Sequence, residues 1–187
     1  MNSDELRARG IAARKQITGE ARRRAEEAIL RQTAALPAFT DARTVMLYRA
    51  RGGEPSPEGL CTLPEAAGKR FAYPFCVDER RMIALAPLPG CGWVRDAAGL
   101  PAPDPARAIP VPPGEIDLVL CPCTAFDDAL HRLGSGRGYY DRFLPECRRA
   151  HCVGLAFEAQ RARRIEAQAW DRPMETFITE QSHPKTE

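Results

Sequence analysis

The sequence predicts a layered α/β/α fold with a mostly parallel central sheet, and three observations carry that prediction. Residues 3–36 are helix-like, with Leu6, Ile11 and Ile17 forming a loose apolar stripe. Ile116-Asp117-Leu118-Val119-Leu120-Cys121 is a nearly continuous apolar run of strand length, the mark of a strand buried on both faces of a parallel sheet. Around these, strand-like and helix-like segments alternate, which is the pattern of helices layered on a sheet. A chain of 187 residues can close around one core. A single domain over residues 1–187 is therefore expected, with the N-terminal helices packed on the sheet.

In chain order, Thr18 offers an N-cap between two consecutive N-terminal helices, and Pro37 ends the second. Thr44-Val45-Met46-Leu47-Tyr48 is β-branched and apolar and predicts a buried strand, which Arg51-Gly52-Gly53-Glu54-Pro55 breaks. A short helix is expected over 57–67, then strands over 70–75 and 82–88 with a turn at Asp78-Glu79. Residues 89–115 hold many of the 17 prolines. That density predicts an ordered loop with no regular elements. Ile116–Cys121 is expected to be the central strand, residues 139–150 a helix, and 152–157 and 175–179 the last strands. The tail after 181 is expected to fray.

Composition excludes several classes of protein. With 44% apolar and 28% charged residues the chain has the balance of a folded domain. No segment approaches the roughly 20 apolar residues of a membrane span, and the start lacks a signal-peptide stretch. Arginine supplies 24 of the 27 cationic residues, but they are interspersed with acidic ones, which argues for a solvated surface rather than nucleic-acid binding. Seven cysteines, odd in number and without a CxxC pair, read as reduced thiols. Cys121 and Cys123 flank a proline and are expected to pack rather than bind metal. A monomeric cytoplasmic protein is expected.

The chemistry concentrates in Arg132-Leu133-Gly134-Ser135-Gly136-Arg137-Gly138-Tyr139-Tyr140-Asp141-Arg142-Phe143. Three alternating glycines leave backbone N–H groups unshielded, and a helix starting directly after them would add its positive end. Arg132 and Arg137 bracket the loop with cations suited to phosphate, and Asp141 could hold a magnesium ion. The spacing is neither that of a P-loop nor that of a dinucleotide fingerprint. As bare pattern, it is equally a Gly-rich turn capped by a helix.

The segment Asp117–Pro122, then Ala125-Phe126-Asp127, then Arg132-Leu133-Gly134 with Gly136, Gly138, Tyr139, Tyr140, Asp141 and Leu144, resembles the signature of the 5-formyltetrahydrofolate cyclo-ligases. Weaker similarity extends the resemblance over about residues 3–180. It implies ATP- and magnesium-dependent closure of 5-formyltetrahydrofolate to 5,10-methenyltetrahydrofolate, with phosphorylation of the formyl oxygen as the activating step. By the same resemblance, Arg7 and the loop Arg132, Leu133, Gly134, Ser135, Gly136, Arg137, Gly138 and Tyr139 would hold ATP. Arg137 and Tyr140 would serve catalysis. Glu54 would hold the pterin-side ring, with Arg49 and Tyr140 lining that pocket, and Asp141 and Asp171 would bind magnesium.

The chain departs from the family pattern at four places. Ser3 stands where a lysine is common, Phe75 where a basic residue is usual, Cys123 where a glycine follows the proline, and Ala102 where an acidic or amide residue precedes Pro103. These changes leave open a relative that binds folate or nucleotide without this turnover, or an enzyme acting on another small substrate.

Overall fold

The computed structural model describes residues 1–168 and 172–182. Its element order is α1 (Ser3–Gln16), α2 (Gly19–Ala34), α3 (Pro37–Thr40), β1 (Thr44–Met46), β2 (Arg70–Cys76), β3 (Met82–Pro87), β4 (Trp93–Arg95), β5 (Pro101–Pro103), β6 (Ala108–Val111), β7 (Leu118–Pro122), β8 (Ala125–Phe126), β9 (Arg132–Leu133), α4 (Tyr139–Phe143), β10 (His151–Leu155) and β11 (Thr176–Ile178). Seven strands form one sheet in the order β11-β10-β7-β1-β2-β3-β6. The first five are parallel neighbours, while β3 and β6 extend the sheet antiparallel. The α/β class and the mostly parallel sheet are as the sequence predicts; β7 is an interior strand, paired with β1 and β10, while β1 holds the middle position.

Both faces of that sheet are buried, and the two-residue period of a strand sorts them. Along β7, Leu118 and Leu120 join Val153 and Leu155 of β10 on the face covered by α2 and α3 through Ala25, Ile29 and Phe39. Val119 and Cys121 turn to the other face with Cys152, where Phe143, Leu144 and Cys147 cover them. Cys121, Cys123, Cys147 and Cys152 are buried free thiols, and burial pushes the thiols of Cys123 and Cys147 up to about 12. They pack as small apolar groups.

The helix α1 opens with a capping box in which Asn2 and Glu5 exchange hydrogen bonds with each other's backbone. Its buried positions are Leu6, Gly10 and Arg14, one face at i, i+4 and i+8, and not the expected stripe through Ile11 and Ile17. Leu6 packs with Ala125, Leu133, Ala162 and Ile165, so α1 lies across the β8–β9 hairpin. A Cβ on Gly10 would fall 1.8 Å from the Thr124 carbonyl oxygen, so only glycine lets the helix approach this closely.

Four local expectations are corrected. Residues 57–67 form two 3-10 turns, Glu58–Thr62 and Pro64–Ala66, because Pro64 interrupts a longer helix. The proline-rich stretch carries three strands: β4 and β5 pair as a two-stranded ribbon, and β6 is the sheet's edge. Prolines are tolerated at such edges, where the missing N–H faces no partner. The helix expected over 139–150 stops at Phe143, since Pro145 cannot continue the ladder. Thr18 is the N-cap of α2, but its side chain makes no capping hydrogen bond.

Candidate active site

A cleft of about 320 Å³ opens beyond the C-terminal ends of β1 and β7, where chains leave a parallel sheet and ligands commonly bind. Both ends of it are made by loops that the strand order brings together. The sequence Arg51–Glu54, which follows β1, supplies one wall; Arg132 to Asp141 supplies the other; α1 closes the side through Ser3 and Arg7.

At the first wall the chain turns back on itself. The Glu54 N–H donates to the Arg51 carbonyl (3.0 Å), and the Arg51 N–H donates to Glu54 Oε2 (3.1 Å). Glu54 is buried, with its side chain 9% exposed, and Arg14, buried on α1, places Nη1 3.6 Å from Oε1. Burial pushes the Glu54 carboxyl above its ordinary value, although Arg14, the Arg51 N–H and the Arg51 charge pull the other way. Beside it Tyr48 donates its hydroxyl to the Pro55 carbonyl (2.6 Å). Arg49 stands at the rim, 3.9 Å from Glu58 and with its guanidinium 4.2 Å from the centre of the Trp93 ring.

At the second wall, Gly136 (φ 91°) and Gly138 (φ 67°) lie in the left-handed region. They turn the segment Gly134–Gly138 into a concave loop whose backbone faces the cleft. Arg7 donates Nε to the Gly134 carbonyl (3.0 Å), and Arg51 donates Nη2 to Ser135 Oγ (3.3 Å). Arg137 reaches across to the Ala98 carbonyl (3.0 Å). Because α4 has only five residues, arginines and loop N–H groups make this wall anion-attracting, without the dipole of a long helix.

Between the walls lie Arg132 and Tyr140. The Arg132 side chain is 5% exposed, donates Nη2 to Asp141 Oδ1 and stands 5.3 Å over the Tyr140 ring. Its Nε and the Tyr140 hydroxyl are buried with no hydrogen-bond partner among the described residues. Buried polar atoms are rarely left so, and both residues line the cleft, which marks this stretch of its wall as a place where a ligand would bond. Burial holds the Tyr140 phenol well above its usual range, so it stays a neutral O–H donor.

Every residue assigned from the sequence lines this cleft, from Arg7, Arg49 and Glu54 through Arg132–Tyr140 to Asp141, except Asp171, which lies outside the described residues. Sequence reasoning missed Arg14 and Asp96. Asp96 is a buried carboxylate that accepts the N–H groups of Cys76, Ala98 and Leu100 and so shapes the turn on which Arg137 rests. Arg14 carried a signal: it stands two helical turns after Arg7, with Gly10 midway on the same face. No cluster of three or more metal-ligating side chains occurs among the described residues. Asp141 is a single carboxylate, and one carboxylate beside bound phosphates is how magnesium is commonly held, so the donor set fits that ion. Of the four departures, Ser3 and Cys123 line the cleft, Ala102 is fully buried and Phe75 is half-buried.

Comparison with known proteins converges on one family. The family model described as "5-formyltetrahydrofolate cyclo-ligase family" matches residues 1–180. A 5-formyltetrahydrofolate cyclo-ligase from Haemophilus influenzae is 26% identical over 165 residues, covering 86% of this chain and 88% of its own. The Escherichia coli K12 protein of the same name is 27% identical over 149 residues, 76% and 81% of the two chains. Among solved structures, a 5,10-methenyltetrahydrofolate synthetase from Aquifex aeolicus superposes with a TM-score of 0.82 at 30% identity, covering 97% of this chain and 91% of that one. A synthetase from Mycoplasma pneumoniae shares the fold at 21% identity, with a TM-score of 0.77 over 97% and 100% of the chains. With a match that runs from the first helix to the last strand, the chain belongs to the 5-formyltetrahydrofolate cyclo-ligase family.

Proposed function

We propose that this chain is an ATP-dependent ligase that closes 5-formyltetrahydrofolate to 5,10-methenyltetrahydrofolate, releasing ADP and phosphate. The observation that supports this most is the union, in one cleft, of a cationic glycine loop and a buried carboxylate, with unpaired donors between them. The relatives' names give the folate substrate and product, and the chemistry explains why two such ends would be needed. A formamide oxygen is a poor leaving group. Transfer of the γ-phosphoryl group to that oxygen makes it a phosphate, the neighbouring folate nitrogen attacks the carbon, and the C–O bond breaks as phosphate departs. Catalysis is then positioning and charge stabilisation.

In this reading Arg7 and the segment from Arg132 to Tyr139 hold the triphosphate, and Arg137 leaves the Ala98 carbonyl to neutralise the transferred group. Glu54 accepts paired N–H donors of the folate ring system, Arg49 lines the mouth, and Tyr140 offers its O–H where the formyl oxygen meets the phosphoryl group. Asp141, with Asp171, would hold magnesium; when bound, the ion would neutralise phosphate charge. Small molecules are the partners, nucleic acid and membranes are not, and the enzyme works as a cytoplasmic monomer in one domain.

A second reading, a relative that binds without turnover, draws on Ser3, which lines the nucleotide end where the family commonly carries lysine. The test is the ultraviolet absorbance of the methenyl product when purified protein meets 5-formyltetrahydrofolate, ATP and magnesium. Growth that requires all three is expected. No growth with folate still bound would favour the second reading.

A further inference from the structure

We propose that Arg14 is a positioning residue for the recognition end of the cleft. It holds Glu54 as an ionised acceptor with Oε1 open to ligand and one lone pair left on Oε2, and so restricts that end to substrates presenting paired N–H donors on a ring edge. The inference rests on the assignment of Glu54 to substrate.

The geometry separates two tasks in one guanidinium. Arg14 is 4% exposed. Its directional bonds go to backbone carbonyls: Nε donates to Gly52 (2.9 Å) and Nη1 to Cys123 (3.1 Å). The carboxylate receives charge instead, because the 3.6 Å from Nη1 to Glu54 Oε1 is beyond a good hydrogen bond. Oε2 is engaged by the Arg51 N–H. Oε1 therefore keeps its lone pairs for a ligand while the cation stays beside it. The Cys123 carbonyl is fixed in turn by Gln160, which is 1% exposed and donates Nε2 to Cys123 (2.9 Å) and to Thr124 (3.1 Å). Arg14 thus cannot follow the carboxylate away without abandoning two carbonyls.

The surroundings make that cation decisive. Six charged or titratable groups stand around Glu54: Arg14 from α1, Arg22 from α2, which donates to the Glu54 carbonyl (2.8 Å) and not to its carboxylate, Arg51 from its own loop, Tyr48 beyond β1, Cys123 beyond β7 and Tyr140 of α4. Burial raises the last three, so they are neutral near pH 7 and cannot compensate. A buried carboxyl without its cation takes up a proton and becomes a donor, which would oppose a ligand's N–H groups.

The test is the pH dependence of 5-formyltetrahydrofolate affinity, measured by equilibrium titration without nucleotide on the full chain and on Arg14→Gln, Arg14→Lys and Glu54→Gln. Wild-type affinity should fall as pH drops through the raised ionisation of Glu54. Arg14→Gln should move that inflection up by about a unit or more, weakening affinity by up to about tenfold at pH values below both inflections and recovering at higher pH. Arg14→Lys, which keeps the charge, should stay within about threefold of wild type. Glu54→Gln should bind weakly at every pH. An Arg14→Gln inflection at the wild-type pH, or affinity that does not recover with rising pH, overturns the positioning role. If Arg14→Gln does not fold, Arg14→Lys decides, and a loss beyond about tenfold at all pH values overturns the proposal. Wild-type binding by Glu54→Gln would instead overturn the assignment of Glu54 itself.

Discussion

The two ends of the cleft are built in opposite ways. Around Glu54, the fastenings are buried or half-buried and most reach far along the chain: Arg14 to Gly52 and Cys123, Arg22 to Gly53 and Glu54, Gln160 to Cys123 and Thr124, with Tyr48 to Pro55 closing the turn locally. Around the glycine loop, Ser135, Gly136 and Arg137 are exposed, and long side chains tie the segment down, Arg7 at Gly134, Arg51 at Ser135 and Arg142 at the Arg137 carbonyl. The contrast is what the proposed function would require of the two ends. A donor edge needs acceptors fixed and desolvated before the ligand arrives, since an unmatched buried group is costly. A polyphosphate needs many N–H groups and cations that can close on diffuse charge, and such loops belong to the less stable parts of a fold.

Three substitutions sharpen or break this contrast. Arg137→Ala should lower turnover by about a thousandfold, as the loss of a charge-neutralising arginine does in phosphoryl transfer. Folate affinity, measured by titration beside initial rates, should stay as in wild type; unchanged turnover would remove Arg137 from the chemistry. Gly10→Val should cost about 2–3 kcal/mol, because the added carbon meets the Thr124 carbonyl and α1 cannot seat. Urea unfolding reads the cost. Because Arg7 and Arg14 ride on the same helix, both ligands should weaken together, and loss of only one would show that α1 is not their common support. Gly136→Ala should cost about 1 kcal/mol of nucleotide affinity, the strain of a side chain at φ 91°, and leave the folate end untouched.

How far the sequence reaches depends on whether a feature is local. Strand β7, the N-terminal helices and the antiparallel pair β2–β3 follow from periodicity, which needs no partner to be seen. The glycine loop was legible for the same reason. Strands β4, β5 and β6 were not, because Pro101, Pro103 and Pro110 argue against strands unless one knows that they lie on a ribbon and an edge. Arg14 was harder to see: its spacing from Arg7 and Gly10 hints at a shared face, but an arginine on a helix reads as a solvated group, and its burial is created by a loop 38 residues on and a strand end 109 residues on.

The place of β1 in the sheet has a consequence for the protein as it is made. Val45 pairs with Phe71 on one side but with Leu118 on the other. A ribosome adds about 5–20 residues each second, so the second edge of β1 stands open for several seconds on the order of that rate. Until residues 118–122 emerge, Val45 and Leu47 have β2 on one side only and lack the far half of their core. The N-terminal half thus carries an open apolar edge while the rest is made, and the cleft can form only after residues 132–141, which line one wall, have been translated.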